Sequence, residues 1–362
     1  MTCPYWSPFL TSLDPYVPGE QPRSDQPIIK LNTNENPYGP SPKVQRAIEA
    51  ELSQNRLQRY PDPDSKALKA VLADHFSLSS DQVFVGNGSD EVLAHAFCAL
   101  LKQAQPILFP DITYSFYTVY ARLYQIDYQQ IPLDEQFQID FESYLRPNGG
   151  VLFPNPNAPT GHLHSLSTIE QFVKDNQRIN PNGVVIVDEA YIDFGGATAA
   201  ALVDEYPNVL VTQTLSKSRS LAGLRVGFAL GSKGLIAGLE RVKNSFNSYP
   251  IDRLAAVGAG AAIEDNDYFE QTRSQIVQSR TWLAAQLSDL GFKVLPSAAN
   301  FLLVEHEARS ASELADALRQ KNIIVRHLKQ QRINNFLRIS IGTESELECL
   351  VTAFKEILSR DE

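Results

Sequence analysis

Between residues 82 and 230 short apolar runs alternate with segments of helical periodicity, and that alternation most restricts the folds open to the chain. The runs at 106–109, 150–153, 184–187 and 226–230 are nearly continuous in apolar residues, as expected of strands buried on both faces. The intervening segments repeat apolar residues every three or four positions, as Leu68, Val71, Leu72 and Phe76 do, which predicts helices. Strands and helices in alternation predict a mainly parallel sheet covered by helices on both sides.

After about residue 260 the texture changes. A long helix over 268–290 precedes short strands near Val294 and at 300–305, 323–326 and 336–341. Thr343 and Glu346, at capping-box spacing, open a last helix. This part reads as a smaller α+β domain, completed by residues 29–45; residues 46–259 form the large domain. Residues 1–28, rich in proline and aromatics without periodicity, read as an extended arm. Ser41-Pro42 marks one helix start, whose apolar face carries Val44, Ala47, Ile48 and Leu52, and Ser167 with Glu170 marks another.

Composition narrows the partners. With 43% hydrophobic residues, 20% charged residues and a net charge of -10, the chain suits neither nucleic acid nor an anionic membrane surface. No apolar run approaches the ~18 residues of a membrane span, and the first residues lack the basic segment of a signal peptide. Cys3, Cys98 and Cys349 form neither a zinc motif nor a disulfide framework, so a reducing cytoplasm is the expected compartment. His162 and His164 read as loop residues, and no metal is expected.

Three places carry chemistry. The strand at 209–212 runs into Lys217, then into a loop with Arg219, Gly223 and Arg225. Open α/β sheets bind ligands at such carboxyl edges, and a desolvated amine there can attack a carbonyl cofactor; a surface lysine in a polar turn is the plainer alternative. In VFVGNGSDEVLAHAF a glycine-rich turn leads into a helix near Ser89, a phosphate site if its amides are free. The dinucleotide fingerprint fails, because its third glycine position is Glu91. Asp188 ends an apolar strand; it either caps the next turn or, if buried, needs a cation such as a protonated pyridine nitrogen.

In order along the chain, the Gly-Ser-Asp turn, DITYSFY, NPNAPTG, VVIVDEAYIDF and TLSKSRSLAGLRVGF resemble the fold type I pyridoxal-phosphate aminotransferases. LNTNENPYGPSP and NFLRISIGT narrow the resemblance to the histidinol-phosphate aminotransferases among them. It implies an α/β large domain with a mainly parallel seven-stranded sheet, a smaller α+β domain, and a homodimer. It also implies transamination of L-histidinol phosphate with 2-oxoglutarate, with aromatic amino acid aminotransferase and phosphothreonine decarboxylase as alternatives on the same scaffold. A non-catalytic pyridoxal-phosphate sensor lacks support, since no basic DNA-binding module accompanies the fold.

By the same resemblance Lys217 carries the cofactor and moves the proton, Asp188 holds the pyridine nitrogen, Tyr191 meets the ring hydroxyl and Tyr114 stacks on the ring. Ser89, Asp90, Ser216 and Arg225 hold the cofactor phosphate, with Tyr60 reaching it from a second subunit. Arg338, Arg326 and Tyr16 meet the anionic end of the substrate. One position departs from the family pattern: where an asparagine normally precedes Pro-Thr-Gly the chain has Ala158, so the ring-hydroxyl contact is expected from Asn157 or from Tyr191 alone.

Overall fold

The computed structural model describes residues 3–22 and 28–359. Its elements are β1 (Ile29–Leu31), α1 (Pro42–Ser53), α2 (Lys66–Phe76), β2 (Val83–Asn87), α3 (Gly88–Leu100), β3 (Ile107–Pro110), α4 (Phe116–Leu123) and β4 (Tyr128–Ile131). Next come β5 (Val151–Pro154), α5 (Leu166–Ile179), β6 (Val185–Asp188), β7 (Val209–Thr214), β8 (Val226–Gly231), α6 (Lys233–Phe246) and α7 (Arg253–Glu264). The chain finishes with α8 (Asn266–Asp289), β9 (Phe292–Val294), β10 (Phe301–His306), α9 (Ala311–Gln320), β11 (Ile323–His327), β12 (Phe336–Ser340) and α10 (Glu344–Leu358).

A seven-stranded sheet in the order β2-β8-β7-β6-β5-β3-β4 forms the larger layer, and β8 alone runs against its neighbours. The apolar runs are strands because both faces are buried. Val85, Val151, Phe153, Val185 and Val187 face one core, shared with α1, α2, α5 and α7. Phe84, Leu152, Ile186 and Leu210 face the other, against α3, α4 and α6. A side-chain period of two sends alternate residues to opposite faces, so the inner strands β5, β6, β7 and β8 are buried at every position, while the edge strand β4 exposes Gln129 and Gln130. A second, five-stranded sheet, β1-β11-β12-β10-β9, packs on α8, α9 and α10 around its own core.

Two local readings need correction. The cap of α5 is Ser165, whose side chain accepts from the Thr168 amide, and not Ser167, because the chain turns helical at Leu166. Leu52, expected on the buried stripe of α1, is 45% exposed, since Val44 and the partly buried Ile48 already fill the contact with the core. Ser41 caps α1, and the Thr343–Glu346 capping box opens α10 with both of its hydrogen bonds. The described part of the arm lies on its own chain, where Tyr16 stacks on Phe116 at 4.3 Å and Asp14 pairs with Arg122.

Candidate active site

β8 runs antiparallel beside both β2 and β7, so β2, β6 and β7 all point their carboxyl ends the same way. Three sequence features therefore meet at one sheet edge. Asp188 is the last residue of β6 and is registered with Thr212 of β7 and Pro154 of β5. Lys217 follows the end of β7. Ser89 and Asp90 lie in the first turn of α3, directly after β2. A cavity at that edge is lined by Ser89, Asp90, Tyr114, Asp188, Tyr191, Ser216, Lys217 and Arg225, among others.

Asp188 is 4% exposed and has no cation beside it among the described residues. Its carboxylate accepts from the Tyr117 hydroxyl at 2.7 Å and from Thr212 Oγ1 at 3.4 Å. Burial pushes its pKa up to about 6, against the pull of the Tyr117 bond. Such a group is incomplete alone, because a buried carboxylate favours a positive partner. Glu189, next along, sits equally deep with its pKa raised by burial to about 7, but three donors satisfy it: Thr198 Oγ1, the Ala199 amide and Gln213 Nε2.

The phosphate end is a cradle of close backbone approach. A Cβ on Gly227 would fall 2.2 Å from the Ser89 amide nitrogen. One on Gly88, whose φ is +77°, would fall 2.3 Å from Arg225 Nη2. Glu91, which displaces the third fingerprint glycine, accepts from the Asn87 amide at 2.6 Å and so shapes the turn itself. Arg225, in the left-handed region at φ 54°, reaches Asp90 at 3.1 Å and Ser216 Oγ at 3.5 Å. Tyr114, just before α4, donates to Asp90 at 2.7 Å and lines the cavity together with Asp90 and Ala158. An amine, a buried uncompensated carboxylate and an amide-rich anion cradle around one cavity fit pyridoxal phosphate.

An adjoining cavity shares Tyr114, Ala158, Tyr191 and Lys217 and adds Tyr16, Arg326 and Arg338. Arg326 and Arg338 face each other across β11 and β12. Like charges placed directly opposite repel, and among the described residues neither makes an ion pair. Arg338 donates from Nη2 to the Asn32 carbonyl at 3.0 Å, while its buried Nε has no partner. Burial, with a smaller push from Arg326, holds its pKa below the usual guanidinium value. The pair is arranged for an anion.

One expected residue, Asn157, is not brought to the cavity. Asn157 is buried, and its amide is engaged by its own loop and by the segment after β3: Nδ2 donates to Thr160 Oγ1 and to the Ile112 carbonyl, each at 3.0 Å, while Oδ1 accepts from Thr113 at 3.3 Å. Ala158 faces the cavity instead. Tyr60 is 78% exposed and stacks on Tyr249, with centroids 4.7 Å apart, away from its own chain's cavity. His162 and His164 are half-buried, and burial lowers the pKa of His164 to about 4; its ring accepts from the Ile139 amide.

Sequence reasoning missed Tyr117, which bonds Asp188, and Asn34, whose Nδ2 donates to the Tyr191 hydroxyl at 3.0 Å. It also missed Asn36, which donates to the Lys217 carbonyl at 2.9 Å. Tyr117 stands three residues after Tyr114 beside the same sheet edge, which was the available signal. No spacing rule signals Asn34.

Comparison with known proteins agrees with this geometry. The family described as aminotransferase class I and II matches residues 26–354. Histidinol-phosphate aminotransferase 1 of Pseudomonas fluorescens is 60% identical, over 98% of this chain and 99% of its own length. Its counterpart from Methylococcus capsulatus is 61% identical over 98% of each. Among solved structures, the histidinol-phosphate aminotransferase of Sinorhizobium meliloti in complex with pyridoxal-5'-phosphate superposes with a TM-score of 0.87 at 24% identity, covering 99% of this chain and 98% of that one.

Proposed function

This chain belongs to the class I and II aminotransferases, and on that premise we propose that it passes the amino group of L-histidinol phosphate to 2-oxoglutarate, using pyridoxal 5'-phosphate, in histidine biosynthesis. The observation that carries the proposal is the meeting of Lys217, the uncompensated Asp188 and the Ser89–Arg225 cradle in one cavity, beside an arginine pair open to an anion. When bound, the cofactor supplies an electron sink for the bonds at the substrate Cα and carries the amino group between the two half-reactions.

The chain's own residues do the rest. The amides at the start of α3, with Ser216 and Arg225, bind the cofactor phosphate. Asp188 holds the ring nitrogen protonated, which is what makes the ring electron-poor, and Tyr117 and Thr212 hold Asp188 in place. Tyr114 covers one ring face and Tyr191 meets the ring hydroxyl. Lys217 would hold the cofactor through its amine between turnovers and, once freed by the substrate, would serve as the base that takes the proton from the substrate Cα. Arg338 and Arg326, with Tyr16 nearby, bind the phosphate of histidinol phosphate and, in the second half-reaction, the distal carboxylate of the keto acid; a guanidinium fork matches both.

The active enzyme is a homodimer, in which Tyr60 serves the partner's cofactor phosphate. A cytoplasmic location accords with Cys3, Cys98 and Cys349, all unpaired. No helix among the described residues is long and apolar enough to cross a membrane.

The test is a half-reaction assay on the purified holoenzyme with histidinol phosphate, phenylalanine and phosphothreonine supplied separately. Rapid conversion of the cofactor spectrum by histidinol phosphate, with little by phenylalanine, is the expected result. Faster conversion by phenylalanine would reassign the enzyme to aromatic amino acids, and carbon dioxide released from phosphothreonine would make it a decarboxylase.

A further inference from the structure

Tyr191 lies in the loop after β6, yet what holds its hydroxyl comes from the small sheet. Asn34, 1% exposed and at φ 55°, donates from Nδ2 to the Tyr191 hydroxyl at 3.0 Å. Which end of the amide faces Tyr191 follows from Ser340. The Ser340 hydroxyl oxygen accepts from the Asn34 amide N–H at 2.8 Å, so its single proton goes to Asn34 Oδ1, 3.0 Å away. With Oδ1 thus engaged, the nitrogen end turns to Tyr191. The Asn34 carbonyl is fixed in turn by Asn300 Nδ2 at 3.0 Å. Asn300 and Ser340 are 0% and 2% exposed; Asn300 directly precedes β10 and Ser340 is the last residue of β12.

A tyrosine hydroxyl that accepts from Asn34 still has one proton to give, and no described residue accepts it. The cavity lies on its open side. Beside it Ala158, packed with Phe301 and Tyr191, offers no polar atom, and the amide of Asn157 is engaged elsewhere. We infer that Asn34 is a positioning residue: it makes the Tyr191 hydroxyl a one-way donor into the cavity, toward the ring oxygen of the cofactor, so that Tyr191 alone supplies that contact. The inference rests on the pyridoxal-phosphate reading above. Because Asn34, Asn300 and Ser340 belong to the small-sheet side, the aim of this donor is set by how that sheet seats on the large one.

The consequence is measurable. A donor aimed at the ring oxygen favours its anionic form and lowers the pH at which the bound cofactor titrates. Charged groups facing Tyr191 are Lys217, 5.7 Å from its ring centroid, Arg338, and Asp188 in the same cavity; Asn34→Ala and Ser340→Ala leave all charges unchanged, and Asn34→Asp adds one carboxylate. The experiment follows the absorption of the bound cofactor in the holoenzyme from pH 5 to 9. The dissociation constant of free pyridoxal phosphate is measured alongside by quenching of intrinsic fluorescence. Asn34→Ala should raise the spectral midpoint by about half a pH unit. Asn34→Asp, which turns a donor into an acceptor and draws the tyrosine proton away from the cavity, should raise it further. In a Tyr191→Phe background Asn34→Ala should not move the midpoint again, which separates loss of the aimed donor from the charge that Asn34→Asp also adds. If Asn34→Ala does not fold, Ser340→Ala, which frees the amide to flip, should give a smaller rise in the same direction.

An unchanged midpoint in these variants, with thermal stability alone reduced, overturns the inference. So does an equal shift by Asn34→Ala in the Tyr191→Phe background. A wild-type protein that binds no pyridoxal phosphate, or whose bound cofactor shows no such titration, defeats the cofactor reading itself, which is a different failure.

Discussion

Asp188 shows how one side chain can be costly to the fold and necessary to the site. Burial raises its pKa from 3.8 to about 6, so the folded chain without cofactor keeps a proton there that the unfolded chain has released. Glu189 behaves alike, with a pKa raised by burial to about 7. A native state that binds more protons loses stability as pH rises. The cofactor-free protein should therefore weaken between pH ~4 and ~7 and regain stability below that window, with Asp188 contributing at most about 3 kcal/mol. Urea unfolding at pH 5 and 7.5 should show Asp188→Asn losing part of this slope and standing more stable than wild type at pH 7.5. The same substitution should cut the first half-reaction roughly 100- to 1000-fold, because the ring nitrogen loses its charge partner. Near wild-type half-reaction rates would remove Asp188 from that role. Arg326 allows a second test at this scale. Phosphate carries more charge and more acceptors than a carboxylate, so Arg326→Ala should lower kcat/KM for histidinol phosphate roughly 10- to 100-fold and for phenylalanine much less. Equal losses would sink phosphate recognition by this residue.

At the scale of elements, the site depends on how closely β8 approaches the start of α3. Gly86 of β2 is registered with Gly227 of β8, and the Ser89 amide lies against Gly227 with no room for a methyl group. Gly227→Ala must push α3 away from the sheet edge, and overpacking of this kind costs about 1–3 kcal/mol. Because the displaced atoms are the phosphate-binding amides, cofactor affinity should fall roughly 10-fold or more, a drop of at least 1.4 kcal/mol. Fluorescence titration of the apoenzyme with pyridoxal phosphate measures this. Loss of thermal stability with an unchanged dissociation constant would separate the cradle from the strand–helix contact. The caps illustrate what is local and what is not. Ser41 and the Thr343–Glu346 box were legible because a cap needs only neighbours in sequence. Ser165 was misplaced by two residues because Ser165, Ser167 and Thr168 all offer hydroxyls there, and packing of Ile169, Phe172 and Val173 chose the register. Helix α6 has no side-chain cap and is defined by burial against α3, whereas Asp252 caps α7 through the Leu254 and Ala255 amides before it packs on α1.

For the whole molecule, Tyr60 is the residue that a single chain leaves unexplained. Its ring is exposed and stacked on Tyr249, while Arg253 grips the loop through the carbonyls of Arg59 and Tyr60. The loop is thus held in shape while its aromatic side chain faces outward, as suits a group delivered to another subunit. If Tyr60 serves the partner's site, Lys217→Ala and Tyr60→Ala chains joined in one dimer produce one site with both lesions and one with neither. Isolated by separate tags, that heterodimer should recover about half of the wild-type activity per dimer, whereas Lys217→Ala alone has none. Activity no higher than the Tyr60→Ala homodimer allows would show that each site is built from one chain.

The sequence by itself determined the layered α/β architecture, because continuous apolar runs between amphipathic segments have few other ways to bury both faces. It also placed Lys217, Asp188 and the Ser89 turn at the sheet edge, since each directly follows a strand and strand ends converge in a mainly parallel sheet. It did not determine what surrounds them. Tyr117 meets Asp188 from 71 residues away, and Asn34 meets Tyr191 across 157. Asn157 looked suited to the ring hydroxyl, yet its amide is bonded to Thr160 in its own loop and to Ile112, 45 residues away beyond β3. Strand and helix patterns are written in neighbours, where geometry is fixed by 3.6- and 2-residue periods. Hydrogen-bond partners across the fold depend on ångström-scale docking of one layer on another, and only the tertiary structure decides that.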